Sequence, residues 1–181
     1  GVDWQRTTFA VANLFLKIRD EKQGGSTITQ QLIKNISEEN DVSIQRKLKE
    51  IFRALNLEKD YSKETILEAY LNVMPLGCGA YGVQAAAETY FGKDVSELTL
   101  VECASLAGIT KNPSQYNPLY NPKNNKTRRD EVLWNMLDQG LISQAEYDEA
   151  INTELTLKTT TSDTPSALKV HDWYTDMVIE D

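Results

Sequence analysis

Histidine is almost missing from this chain: His171 is the one imidazole in 181 residues, and it lies near the C-terminus. That argues against a Ser-His-Asp triad and against a histidine-rich zinc site. Cysteine is scarce too. Cys78 sits between Gly77 and Gly79, and Cys103 falls in the largely apolar run 101–109, where it reads as a small core residue. Two cysteines at this spacing make neither a metal motif nor a disulfide framework, so the redox compartment stays open. No stretch of 18 apolar residues occurs, so nothing in the sequence spans a membrane as a helix. A signal peptide is also lacking, and Gly-Val-Asp-Trp does not look like a natural start, so the chain reads as a piece of something longer. Basic residues are outnumbered, with a net charge of −8, which argues against a general nucleic-acid binder.

What is present fits one folded domain with a tail. Hydrophobic residues make up 40% and charged residues 25%, and a chain of this length buries roughly two-thirds of its unfolded surface without disulfides or metals. The periodicity is helical nearly throughout, and strand signals are scarce. Phe9, Ala12, Leu14, Phe15 and Ile18 give an approximate helical stripe. Thr27 with Gln30 forms a capping-box pattern that opens a helix carrying Ile28, Leu32 and Ile36. Ile44, Leu48, Ile51, Phe52 and Leu55 predict a second helix with one apolar face.

Ser62 caps a helix that stops near Pro75. A short alanine-rich helix ends at Gly92, and Thr99 with Glu102 opens another. Pro113, Pro118 and Pro122 place a long loop over residues 111–126. A helix follows from Arg128 to Leu137, stopped by Gly140, and Ser143 with Glu146 caps one more. The stretch 153–166 is rich in Thr and Ser without periodicity and reads as a linker. Residues 170–179 resume as the start of a further element. The expected organisation is a mainly α domain over 1–152 and a linker with the start of a following segment over 153–181.

Two segments carry chemistry. In the run from Gly24 to Lys34, two glycines precede a capped helix whose N-terminal N–H groups and dipole attract an anion. Gln30 and Lys34 are four apart, Gln31 and Lys34 three apart, so their side chains can share a face. An ordinary loop-to-helix junction with a polar outer face fits the same residues. In the second segment Arg46, Glu50 and Arg53 are spaced i, i+4, i+7, and Lys47 and Lys49 add two more cations. A carboxylate among cations can position a hydroxyl, help hold a metal or orient the cations. Taken alone, a surface salt-bridge ladder worth a few tenths of a kcal/mol per pair is the better explanation of the spacing.

Together the segments resemble a known family. Gly24-Gly25-Ser26-Thr27-Ile28-Thr29-Gln30-Gln31 is similar to the second signature of the peptidoglycan glycosyltransferases (glycosyltransferase family 51), found in class A penicillin-binding proteins and their monofunctional relatives. Arg46-Lys47-Leu48-Lys49-Glu50 resembles the third signature, Ile66-Leu67-Glu68-Ala69-Tyr70-Leu71-Asn72 the fourth, and Arg128-Arg129 with Val132, Leu133 and Met136 the fifth. The resemblance covers about residues 1–152. It implies a lysozyme-like, mainly helical fold with a long substrate cleft. It also implies polymerisation of lipid II, with inversion at the donor anomeric carbon and release of polyprenyl pyrophosphate. Ser26, Gln30, Gln31, Lys34, Arg46 and Lys49 match the substrate-contacting positions, and Glu50 matches the second essential glutamate, supporting the pyrophosphate region through Lys49 or a divalent cation such as Mg or Mn.

The implied partners are lipid II, the growing glycan strand, the membrane surface and other cell-wall synthesis proteins, with no nucleic acid. The implied location is the outer face of the cell membrane, with an anchor upstream. Two departures stand out. Gly1-Val2-Asp3 looks like the tail of the first signature, so the general-base glutamate is expected to be missing and the chain alone inactive. Val42 stands where many relatives carry arginine. A lytic transglycosylase or lysozyme, which cleaves glycans, is the competing enzyme class, and a degenerate binding domain the non-enzymatic one.

Overall fold

The computed structural model describes residues 26–37 and 44–158, and the regular elements among them are helices. In chain order these are α1 (Ile28–Ile36), α2 (Ile44–Asp60), α3 (Lys63–Val73), α4 (Val83–Tyr90), a 3-10 turn (Val95–Glu97), α5 (Leu100–Ile109), α6 (Pro122–Asp138) and α7 (Gln144–Asn152). Extended pairing among the described residues is limited to an isolated antiparallel bridge between Pro75 and Tyr81. The mainly α class expected from periodicity is the class observed. No helix of the described residues is long and apolar enough to cross a membrane. The stripe over Phe9–Ile18, the Gly24-Gly25 pair, Val42, the tail beyond Lys158 and the resumed element at 170–179 lie outside the described residues.

The described residues fall into two compact units, one up to Val73 and the other from Met74 onward. In the first, α1 packs against both α2 and α3. Leu32, Ile66, Ala69 and Val73 form its core, with Ile36, Leu57, Tyr61 and Tyr70 packed around them. The capping box is made as predicted: Gln30 N–H donates to Thr27 Oγ1 at 3.3 Å, and Thr27 N–H donates to Gln30 Oε1 at 3.0 Å.

The second unit opens with a tight turn. Gly77, Cys78 and Gly79 all take positive φ, at 84°, 52° and 72°, and a Cβ at Gly77 would crowd the Tyr90 hydroxyl at 3.0 Å. Tyr90 is fully buried; its hydroxyl donates to Leu76 O at 2.7 Å and accepts from Asn117 Nδ2 at 3.0 Å. Further on, α5 packs against α6 and α6 against α7, around Val101, Ala104, Leu133 and Ala150.

Three expectations change. Helix α6 begins at Pro122, not at Arg128; proline suits the first helical position, where its missing N–H costs nothing, so the loop ends at residue 121. Cys103 is exposed on α5, and both thiols are free. Residues 153–158, expected to open a linker, lie against the second unit: Arg129 donates to Thr153 O at 3.2 Å and Lys158 N–H donates to Tyr90 O at 2.7 Å.

Candidate active site

The site builds from the junction of α1 and α2 in the first unit. Thr27, as the N-cap of α1, turns the chain so that Ser26 stands just ahead of the helix's first-turn N–H groups, which no helix satisfies from within. Lys47, one turn into α2, reaches across and donates from Nζ to Ser26 Oγ at 2.8 Å. The same ammonium pairs with Glu50 Oε1 in a short contact, while Arg46 donates to Glu50 Oε2 at 2.9 Å. Both carboxylate oxygens are thereby engaged, and Glu50 is only 4% exposed. The surface-ladder explanation of this spacing fails on that burial. Glu50 is instead the buried centre of a two-cation cluster tied to the start of α1.

The face that α2 turns inward is not the one its apolar residues predict. Leu48 and Phe52 are exposed, at 51% and 66%, while Glu50, Ile51 and Ala54 are buried. The helix is turned by about one residue's 100° from the expected stripe. The reason is local: Ala54 is fully buried, and the ion cluster at Glu50 needs α2 to present positions 47, 50, 51 and 54 together.

The glutamines serve the junction. Gln30 is fully buried; its Oε1 is held by the cap and its Nε2 is buried without a hydrogen-bond partner. Gln31 is half-buried, donating to Ser26 O at 3.3 Å and accepting from the Tyr70 hydroxyl at 3.0 Å. Burial pushes the Tyr70 hydroxyl's pKa above the ordinary tyrosine value. Ser26, Gln31, Arg46 and Glu50 are therefore brought together.

Lys34 is not. It is exposed in the last turn of α1, eight residues or about 12 Å of helix axis from Ser26. Lys49 is exposed on α2 and is not the partner of Glu50 that the resemblance offered; Lys47 is. Neither Lys34 nor Lys49 pairs with an acid among the described residues, so both ammonium groups face solvent.

Sequence reasoning missed Lys47 and Tyr70 as parts of this junction. For Lys47 the signal was present, since it stands i, i+3 from Glu50. Tyr70 lies in the segment resembling the fourth signature, but nothing marked its pairing with Gln31, 39 residues away in sequence.

Residues 28–36 and 44–53, the paired parts of α1 and α2, carry five cations (Lys34, Arg46, Lys47, Lys49, Arg53) against one carboxylate (Glu50), in a chain of net charge −8. Such a local excess of positive charge is chemically suited to attract an anion. The fifth-signature arginine does something else. Arg129 is 2% exposed in the second unit, where its guanidinium clasps Asp130 Oδ1 at 2.8 and 2.9 Å.

Comparison with known proteins places these residues in context. Residues 1–137 match the family model described as transglycosylase. The chain is 47% identical to penicillin-binding protein 1A of Aquifex aeolicus over 156 residues, covering 86% of this chain and 21% of that protein. It is 49% identical to penicillin-binding protein 1F of Bacillus subtilis over 160 residues, 88% of this chain and 22% of that one. Among solved structures, penicillin-binding protein 1A from Haemophilus influenzae is similar at 36% identity and a TM-score of 0.48, over 83% of this chain and 19% of that one. The chain thus spans about a fifth of the length of these relatives.

Proposed function

Because this chain belongs to the transglycosylase family, we propose that it is a peptidoglycan glycosyltransferase domain that polymerises lipid II into glycan strands. The observation that carries the reading is Glu50, buried between Arg46 and Lys47, with Lys47 also holding Ser26 at the start of α1. In the proposed reaction an acceptor hydroxyl attacks the donor's anomeric carbon. The bond to the diphosphate breaks with inversion, and polyprenyl pyrophosphate leaves. Negative charge gathers on that leaving group in the transition state, so pre-oriented cations lower the barrier more than they favour the substrate. Arg46, Lys49 and Lys34 are the cations proposed to meet it. Ser26, Gln30 and Gln31 shape the start of α1 against the donor. Glu50 is proposed to align Arg46 and Lys47 and so position the cluster.

The acceptor's proton requires a base other than Glu50, whose two oxygens both accept from cations. The same fact disfavours glycan cleavage by Glu50, because a general acid needs an oxygen free to carry a proton in an apolar pocket. A protein-held divalent cation does not fit these residues either. Each Glu50 oxygen already faces a cation that would repel a metal ion, and no cluster of three or more His, Cys, Asp or Glu side chains occurs among the described residues.

The proposed partners are lipid II and the growing strand at a membrane surface, outside the cytoplasm, within a longer penicillin-binding protein. The test uses the full-length protein, incubated with lipid II and, separately, with finished peptidoglycan. Strand growth from lipid II without release of fragments from peptidoglycan is expected. Release of fragments without growth overturns the reading. Lys49→Ala, at an exposed and unpaired position, should lower kcat roughly 10²-fold while leaving the fold intact.

A further inference from the structure

An aromatic groove in the second unit has no part in the chemistry above. It is an open recess of about 540 Å³ between α6 and α7, lined by Thr127, Asp130, Glu131, Trp134, Asn135 and Tyr147. Trp134 is 54% exposed, an unusual position for the side chain with the most apolar surface to hide. Tyr147 is half-buried, packed against the second unit's core while also lining the recess. Neither the Trp134 indole N–H nor the Tyr147 hydroxyl hydrogen-bonds to another described residue. Each is an apolar plate with an unspent polar handle.

The charges of the groove decide what fits. Both carboxylates are already neutralised by neighbours on α6: Asp130 by Lys126 at 2.6 Å and Arg129 at 2.8 Å, Glu131 by Arg128. A cationic peptide therefore gains little here. The carboxylates keep lone pairs for hydroxyl donors all the same. Asn135 spends its Nδ2 on Glu131 O at 2.7 Å, which leaves its side-chain oxygen as an acceptor. Flat aromatic surface beside acceptors that bring no net charge suits a neutral, hydroxyl-rich ring, with an apolar C–H face and polar edges.

We propose that this groove is a saccharide-binding site, separate from the cluster around Glu50, that holds pyranose rings of a β-linked glycan strand on Trp134 and Tyr147. It rests on the proposed function only for the identity of the strand; the binding itself is independent of catalysis.

The test titrates the ¹⁵N-labelled 181-residue chain with chitotetraose up to about 10 mM, the millimolar range of weak single-site binding. The indole signal of Trp134, assigned with Trp134→Phe, should shift saturably together with the amides of Asn135 and Tyr147. In Trp134→Ala the amide shifts should need at least tenfold more sugar, and in Tyr147→Phe, which keeps the ring, several-fold more. An unmoved Trp134 signal overturns the site, as does movement with tetralysine in place of the sugar. Full-length protein that polymerises lipid II while Trp134 stays unmoved overturns this proposal and leaves the proposed function standing. Sugar-dependent shifts at Trp134 in a protein that makes no strands support the site and remove the catalytic reading.

Discussion

Exchanging Glu50 for glutamine probes the cluster on which the proposed chemistry depends. The side chain keeps its shape, so no cavity forms, and the change isolates charge. One oxygen still accepts from a cation, while the other position becomes an NH₂ group facing the second cation. Removing one partner of a fully buried ion pair costs about 3–5 kcal/mol, and a charge-assisted hydrogen bond contributes about 1.5–3 kcal/mol. The Arg46 and Lys47 side chains are 19% and 28% exposed, so each can turn toward water, and the cost falls at the lower end, about 2 kcal/mol. That is roughly a 30-fold change in an opening equilibrium.

Amide hydrogen exchange reads it element by element. Protection in α1 and α2 of Glu50→Gln should fall about 30-fold, while α5 and α6, in the other compact unit, keep theirs. Protection in α1 and α2 unchanged within about twofold would refute the claim that Glu50 organises the junction.

Other expectations follow from the second unit. Gly77→Ala places a methyl at 3.0 Å from the Tyr90 hydroxyl and 3.2 Å from Asn117 Nδ2, at a φ of 84°. It should lower stability by about 2–3 kcal/mol in urea unfolding, backbone strain and lost hydrogen bonds together. Gly140→Ala, also at positive φ but with nothing within 4 Å, should cost only the backbone share, about 1 kcal/mol; equal losses for the two would refute the contact at Gly77.

Glu102 supplies a pH dependence. Its burial pushes the carboxyl's pKa up, but the Lys93 ammonium and the N–H and hydroxyl of Thr99 more than offset that, so the pKa lies below the ordinary value of 4.5. A lowered folded pKa stabilises fully above the ordinary value and loses that contribution as pH falls through the folded one. The α5 cap should hold at neutral pH and weaken below about 4.5, and Glu102→Gln should flatten this part of the acid-unfolding curve, monitored by circular dichroism.

Local signals in the sequence determined much of this protein. Thr27 with Gln30, Thr99 with Glu102 and Ser143 with Glu146 each made the capping box their three-residue spacing predicts, because a cap is closed by atoms within one turn. The helical class followed from periodicity, and the cation-rich segment on α2 was visible as charge spacing.

Tertiary structure decided which faces those helices bury. Apolar spacing put Leu48 and Phe52 inward on α2, yet Glu50 and Ala54 are the buried residues, because the face is chosen by what α1 and α3 offer opposite it. Lys47 rather than Lys49 holds Glu50, and Tyr70 holds Gln31 across 39 residues. A partner that distant leaves no mark on local sequence. Spacing along one helix states which side chains share a face, and only packing states whether that face meets water or another helix.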